Sequence, residues 1–500
     1  MAQSDLREGL AGAPATFSPF CRRLPPGWGY LVSAGLDDVI DALEALRYDE
    51  DDLDHLDRTG LFGADLLERL RRVRFTGSVR AMPEGTPFTA GEPVLEVTGP
   101  LLEAQLAETV VLNRVHLTSL VAAKAARAVD AADGRGLIDF AMRRAHGVEA
   151  ALRVARGAWI AGFDATSDVL AGRRYGIPLA GTMAHSYVQA FPDEAAAFAA
   201  FVRAFPGGAT LLVDTYDTAA GVRCAARVAR ELRRRGGRVG AVRLDSGDLD
   251  RLSREARAIL DEAGLAGVRI VASGGLDEHG IARLVAAGAP IDAFGVGSRL
   301  GAPPDAPALD MAYKLTEVDG RPVLKLSSGK ATLPGAKQVW RPAGGGPDLV
   351  ALRDEPGPPG RAPAAARARP GRDRDRAPHR GRRPRPLRRR AGAPSPLGPR
   401  AGRRAAGREG LPRPAEPREG GGRGGPAPQP ASLAVRLTAR ARGRRPAPSR
   451  HQPRRPALGH RHDDRVEVGG HERPGEHRPR LGQHLRRGVS LRPVGQRERA

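Results

Sequence analysis

Arg243, Asp245, Ser246, Gly247 and Asp248 follow the short apolar run Val239-Gly240-Ala241-Val242 and precede a helical pattern over residues 249–263. A buried strand has no need of an arginine and several small polar residues at its carboxyl end. Phosphate binding does: a guanidinium offers a planar fork of donors, glycine lets the backbone come close, and the next helix presents free N–H groups. The acidic pair suits water around a magnesium ion or the hydroxyls of a sugar. An ordinary strand-to-helix turn with Ser246 or Asp248 as N-cap explains the same ten residues, and alone they favour it.

Further clusters change the balance. They are Arg143-Arg144 with His146, Thr182 with His185-Ser186, Asp214 to Asp217, Ser273-Gly274-Gly275, and Gly295-Val296-Gly297-Ser298. Each glycine pair read singly is a turn. What they share is position: each sits at or just past the end of an apolar, strand-like segment. Those segments fall at 137–140, 177–180, 209–214, 239–244, 268–272 and 291–296. Helical patterns fill the intervals at 149–162, 193–205, 219–235, 249–263 and 278–287. Repeated strand–helix units with apolar strands predict a parallel sheet, open or closed into a barrel. In a barrel the strand ends converge on one face, where active sites form and the last strands commonly hold phosphate. No Gly-x-Gly-x-x-Gly opens the first unit, which argues against dinucleotide binding.

Around this core the pattern is mixed. Residues 33–46 carry apolar side chains on one helical face with Ser33 as the expected N-cap, and 64–72 is a second helical stretch. Residues 75–97 alternate short apolar strands with Gly/Pro turns, 104–132 is a long helical pattern, and 314–341 returns to strands with Asp319-Gly320 as a hairpin turn. The expected division is an α+β domain over 1–103, a catalytic α/β barrel over 104–312, a post-barrel β segment over 313–353 and a tail over 354–500.

Charge separates the tail from the rest. The chain has 500 residues and a formal net charge of +23, yet residues 1–352 hold 41 Lys+Arg against 44 Asp+Glu. The excess lies wholly in 353–500, with 39 against 13. Residues 361–500 contain no Lys, Ile, Asn, Phe, Trp, Tyr, Cys or Met. Such a composition cannot bury enough apolar surface to fold, so disorder is expected. An arginine arm for nucleic acid is the functional alternative, but no aromatic is interleaved for base stacking. Arg, Pro, Gly and Ala are also what GC-rich codons give out of frame, and a frame lost between 354 and 361 is the expectation. Cys21 and Cys224 are too few and too far apart for a disulfide framework or zinc site, and no protein metal site is expected. Together with the lack of a signal-like start or a membrane-length apolar run, they predict a soluble cytoplasmic protein.

Over residues 1 to about 353 the chain resembles the nicotinate phosphoribosyltransferases. The motifs that carry this are Ile138-Asp139-Phe140-Ala141-Met142-Arg143-Arg144-Ala145-His146-Gly147, the run 162–172, Gly181-Thr182-Met183-Ala184-His185-Ser186, Val213-Asp214-Thr215-Tyr216-Asp217, the 243–248 stretch and the run 325–341. The resemblance implies an irregular α/β barrel beside an α+β domain built from the N-terminal and post-barrel segments, assembled as a homodimer. It implies a reaction of nicotinate with phosphoribosyl pyrophosphate, assisted by ATP hydrolysis and Mg2+, in the salvage of NAD from nicotinate. By the same likeness Phe140 stacks on the pyridine ring, Arg143 with Arg144 meets the carboxylate or a phosphate, and Thr182 lines the base pocket. Arg243 reaches the base and ribose, while Asp245 with Asp214, Ser246 and Gly247 serves ribose or magnesium-bound water. Ser273, Gly274, Gly275, Gly297 and Ser298 cradle the 5′-phosphate, and His185, beside Ser186, accepts a phosphoryl group from ATP.

Two departures from the family pattern stand out. A tyrosine-bearing segment that family members place before the equivalent of Met1 is not in this sequence, as a late start would explain. Asp168 stands where the nicotinate enzymes carry a neutral residue, which makes nicotinamide the alternative substrate, since an anion there repels a carboxylate. An inactive remnant and an Arg-rich nucleic-acid-associated protein are the remaining alternatives. Nucleic acid is otherwise not expected as a partner, except non-specifically through the tail.

Overall fold

Strand Pro14–Cys21 pairs on one side with Leu95–Pro100 and on the other with Met311–Val318, a partner some three hundred residues away in sequence. This pairing makes one domain of the N-terminal and post-barrel segments, and Phe17 stacks on Tyr313 at 4.8 Å between ring centroids to seal it. The full antiparallel sheet also holds Ser78–Ala81 and Arg321–Pro322. Asp319 and Gly320 both have positive φ, so the hairpin before Arg321 closes through the two-residue turn that matches strand twist, as expected.

The computed structural model describes residues 1–368 apart from 328, 329, 331, 344, 345 and 365. All of them lie within the first, Met1–Leu437, of the two compact units into which the chain divides. Most of the tail expected to be disordered therefore lies outside the described residues. Its beginning departs from that expectation: Arg361–Pro363 pairs with Lys337–Pro342, and Ala366–Ala368 pairs with Ser78–Ala81. Composition measures what side chains can bury, whereas addition to a sheet edge uses main-chain carbonyls, which every residue carries, and N–H groups, which only proline lacks.

Helix Leu101–Ala132 leaves the antiparallel domain and becomes the spine of the next one. At 32 residues it is roughly 48 Å long. Helix Val148–Ala161 packs along it at Gly157, where a Cβ would sit only 2.9 Å from the Thr118 carbonyl oxygen. The helix expected over 33–46 is shorter, Leu36–Glu44, and Ser33 does not cap it. Ser33 Oγ instead donates to the Met82 carbonyl, and Gly35 caps at φ 94, where any side chain would press on the Arg114 carbonyl oxygen at 2.7 Å. Backbone approach, not hydroxyl capping, chose the residue.

The second sheet is six-stranded and parallel, in the order Ala165–Thr166, Gly136–Asp139, Ala293–Val296, Arg269–Ala272, Val239–Leu244, Ala209–Leu212. The strand expected at 177–180 is reduced to a single bridge between Leu179 and Thr166. Pro178 within it has no N–H to give to a ladder. Helices return between the strands within a residue or two of expectation, and Asp193, Asp217, Asp248 and Asp277 each cap one through a side-chain oxygen. The sheet curls. Thr182, just beyond the bridge at one edge, bonds to Arg243 five strands across, a gap of roughly 24 Å in a flat sheet.

Candidate active site

The curl gathers the carboxyl ends of the parallel strands around a cavity of about 650 Å³. Gly136–Asp139 delivers Phe140 and the turn Met142–Arg144, and Ala165–Thr166 delivers Ser167. The segment after Leu179 supplies Gly181 to Ser186, Val239–Leu244 supplies Arg243 and Asp245, and Arg269–Ala272 supplies Ser273 to Gly275. Strand Ala293–Val296 adds Gly295, Gly297 and Ser298. Of the expected residues, Phe140, Arg143, Arg144, Thr182, His185, Ser186, Arg243, Asp245, Ser273, Gly274, Gly275, Gly297 and Ser298 all line it.

Arg243 is the hub. Its Nε donates to Ser273 Oγ at 2.8 Å, Nη1 to Thr182 Oγ1 at 2.7 Å and Nη2 to Asp245 Oδ1 at 2.7 Å. Its guanidinium carbon stands 5.1 Å from the centre of the Phe140 ring. Three of its five N–H groups are thus committed to positioning, and two remain for a ligand. Asp245 is held in turn by Ser273 Oγ at 2.6 Å. Burial opposes its charge, but the Ser273 hydroxyl and the Arg243 guanidinium outweigh burial and keep its carboxyl below the usual range. His185 lies between Thr215 Oγ1, 3.2 Å from Nδ1, and Asp245 Oδ2, 3.7 Å from Nε2. Arg143 and Arg144 are exposed on the rim, and no partner for either guanidinium appears among the described residues.

Glycine shapes the rim at residues 274 and 275. Gly274 has φ 94, and a Cβ there would collide with the Asp245 carbonyl oxygen. The backbone at 274–275 therefore passes directly behind Asp245, leaving bare main chain toward the cavity.

Four expected residues do not line the cavity. Asp214 stands behind Asp245: its Oδ2 accepts from the Asp245 N–H at 2.8 Å and from Ser246 Oγ at 2.9 Å, while its buried Oδ1 has no hydrogen-bond partner. Ser246 is thereby turned toward Asp214, and Gly247, at φ 81, makes the turn into the next helix. Asp168 is the clearest correction. It is 1 % exposed and caps helix Val169–Tyr175, its Oδ1 accepting from the N–H groups of Leu170 and Ala171. Ser167 faces the cavity in its place. The signal was available, since aspartate directly before Val-Leu-Ala-Gly is an N-cap pattern. Asp168 is thus set back from the cavity lining, on which the case for nicotinamide as the alternative substrate rested.

Behind Phe140 and Ser167, Asp139 ties two walls together. Its Oδ1 accepts from the Ala141 N–H at 2.8 Å and its Oδ2 from Thr166 Oγ1 at 2.7 Å, so the turns bearing Phe140 and Ser167 share one carboxyl. Burial pushes that carboxyl up to about 6 against the pull of both hydrogen bonds. Sequence reasoning passed over Asp139 because an aspartate within a strand carries no local signature of bracing two loops. It also gave no role of their own to Met142, Ser167, Gly181, Met183, Ala184, Leu212 and Gly295, which line the cavity, although most of them stand in the quoted motifs and clusters. Among the described residues no group of three or more His, Cys, Asp or Glu side chains could hold a metal ion, and no helix is long and apolar enough to cross a membrane.

Family models and curated relatives agree on one family. Residues 1–116 match the nicotinate phosphoribosyltransferase N-terminal domain, and residues 136–337 match the nicotinate phosphoribosyltransferase family. A Mycobacterium tuberculosis nicotinate phosphoribosyltransferase, pncB2, is 55% identical over 341 residues, 68% of this chain and 73% of that protein. The Bacillus subtilis nicotinate phosphoribosyltransferase is 44% identical over 348 residues, 68% of this chain and 71% of its own length. Among solved structures, human nicotinic acid phosphoribosyltransferase superposes with a TM-score of 0.63 at 32% identity, over 74% of this chain and 85% of that one.

Proposed function

This chain belongs to the nicotinate phosphoribosyltransferase family, and from that premise we propose how its residues divide the work of joining nicotinate to phosphoribosyl pyrophosphate. The reaction forms a bond from the pyridine nitrogen to C1 of the ribose as the bond from C1 to the pyrophosphate oxygen breaks. Pyrophosphate leaves with that electron pair, nicotinate supplies the other, and no proton is required. Positive charge builds on the ribose carbon in between, so the residues act by alignment and by charge.

Phe140 gives the pyridine ring a face to stack on. Arg143 and Arg144, with free guanidiniums, meet the nicotinate carboxylate or a phosphate, and the neutral Ser167 leaves that carboxylate unopposed. Arg243 reaches base and ribose with its two spare N–H groups, while Asp245, ionised, faces the ribose. The bare backbone at 274–275 and 297–298 receives the 5′-phosphate. Mg2+, when bound, neutralises charge on the leaving pyrophosphate. With no three-residue ligand set among the described residues, the ion would be carried by the substrate and met through water by Asp245, which lines the cavity and is braced from behind by Asp214.

His185 takes the γ-phosphoryl group of ATP on a ring nitrogen, releasing ADP, and water later removes that group as phosphate. Its placement beside Asp245 brings the added charge next to the ribose site. A homodimer and a cytoplasmic setting complete the proposal: both cysteines are free and buried, which suits a reducing compartment.

The single observation behind this reading is the Arg243 hub, which ties strand ends from across the sheet to one cavity. The test is an assay of the full chain with phosphoribosyl pyrophosphate and either nicotinate or nicotinamide, with and without ATP. Nicotinate mononucleotide should form preferentially and ATP should raise its yield. In H185A product should still form while ATP loses its effect. ATP coupling that survives H185A removes the histidine from the scheme, and a preference for nicotinamide overturns the assignment of the base wall.

A further inference from the structure

Gly295 occupies a central strand, Ala293–Val296, between Gly136–Asp139 and Arg269–Ala272. Glycine weakens such a position, because it adds backbone entropy and packs nothing. Its φ is not positive, so no turn or left-handed conformation asks for it. What asks for it is space. A Cβ at 295 would lie 2.6 Å from Phe140 Cδ2, closer still to Cε2, and 3.2 Å from Ser273 Cβ. The serine contact could ease by a few tenths of an ångström, but the ring contacts could not.

Phe140 has little room to retreat. Its N–H donates to the Val296 carbonyl at 2.8 Å, and a Cβ at the next glycine, Gly297, would already stand 3.1 Å from its carbonyl oxygen. Near the ring sits the Arg243 guanidinium, pinned by Ser273, Thr182 and Asp245.

We propose that Gly295 is a positioning residue for the base site: its missing side chain fixes the depth of the Phe140 ring and so the height of the slot for nicotinate. Any larger residue at 295 drives the ring into the space the base needs. The inference rests on the reading of Phe140 as the stacking surface, and the experiment separates the two.

Steady-state kinetics of full-length wild type, G295A, F140L and the double variant test it. G295A should raise KM for nicotinate about tenfold or more, since misplacing a positioning group by an ångström is costly. KM for phosphoribosyl pyrophosphate should move less than about twofold, because its phosphates are held by main chain at 274–275 and 297–298 and not by the Phe140 ring. In F140L the rigid ring and its Cε2 are gone and the branched side chain can turn away, so adding G295A should cost little further. An equal added penalty in the F140L background overturns the proposal, as does a G295A enzyme with wild-type KM for nicotinate. If F140L alone leaves that KM unchanged, the stacking role of Phe140 fails and the inference falls with it. If G295A does not fold, the double variant decides: recovery of a folded enzyme supports collision with Phe140, and continued failure shows that the strand itself needs the glycine.

Discussion

Two ion clusters in this molecule, one centred on buried Glu96 and one half-buried at the cavity, pair carboxylates with basic side chains to opposite ends. In the antiparallel domain, Glu96 accepts from Ser18 Oγ at 2.8 Å, from the Lys337 backbone N–H at 2.9 Å and from Arg353 Nη2 at 2.8 Å. Lys337 Nζ turns to the Gly335 carbonyl at 2.7 Å, and burial holds its pKa below the usual range. Glu96, at 3 % exposed, has both oxygens engaged. In the barrel, Arg243 and Asp245 are also tied to neighbours, yet two guanidinium N–H groups remain open beside a large cavity. The difference lies in where the uncommitted groups sit: Arg353 Nε is buried without a partner, whereas the spare Arg243 N–H groups stand at the cavity. A cluster whose charges are paired inside the packing is architecture, because removing a partner strands a buried charge. A cluster held rigid with donors to spare is ready for a ligand, because its geometry is set before binding.

This contrast can be broken by experiment. R243A should lower kcat/KM by about 100- to 1,000-fold, the scale of losing a preorganised donor to developing charge, while the unfolding midpoint moves little. A large loss of stability with intact turnover would place Arg243 among the structural pairs. E96A should do the reverse, costing about 3–5 kcal/mol in denaturant unfolding with kcat per folded molecule unchanged. Impaired turnover in folded E96A would mean that the antiparallel domain feeds the site. The smallest effect sharpens the correction at the base wall: D168A should cost about 1 kcal/mol for a lost N-cap and leave the choice of nicotinate over nicotinamide untouched. A switch in base preference would return Asp168 to the cavity.

The sequence alone was sufficient for the parallel core, since apolar strands alternating with amphipathic helices have few other ways to bury their surfaces. It also placed the polar clusters at strand ends, and the motifs around Phe140, His185 and Arg243 identified the family. Asp319-Gly320 closed its hairpin because turn chemistry is local. Only the tertiary structure decided matters of direction and distance. Whether Ser167 or Asp168 looks inward depends on how one helix starts, and a shift of one residue changes the face presented. The pairing of Pro14–Cys21 with Met311–Val318 spans the whole barrel, beyond any local pattern. Thr182 reaches Arg243 only because the sheet curls, and Gly295 matters only because the Phe140 ring comes to rest against it. Local periodicity records which groups a segment must bury or expose; the identity of the atom on the far side of the gap is set when the layers close.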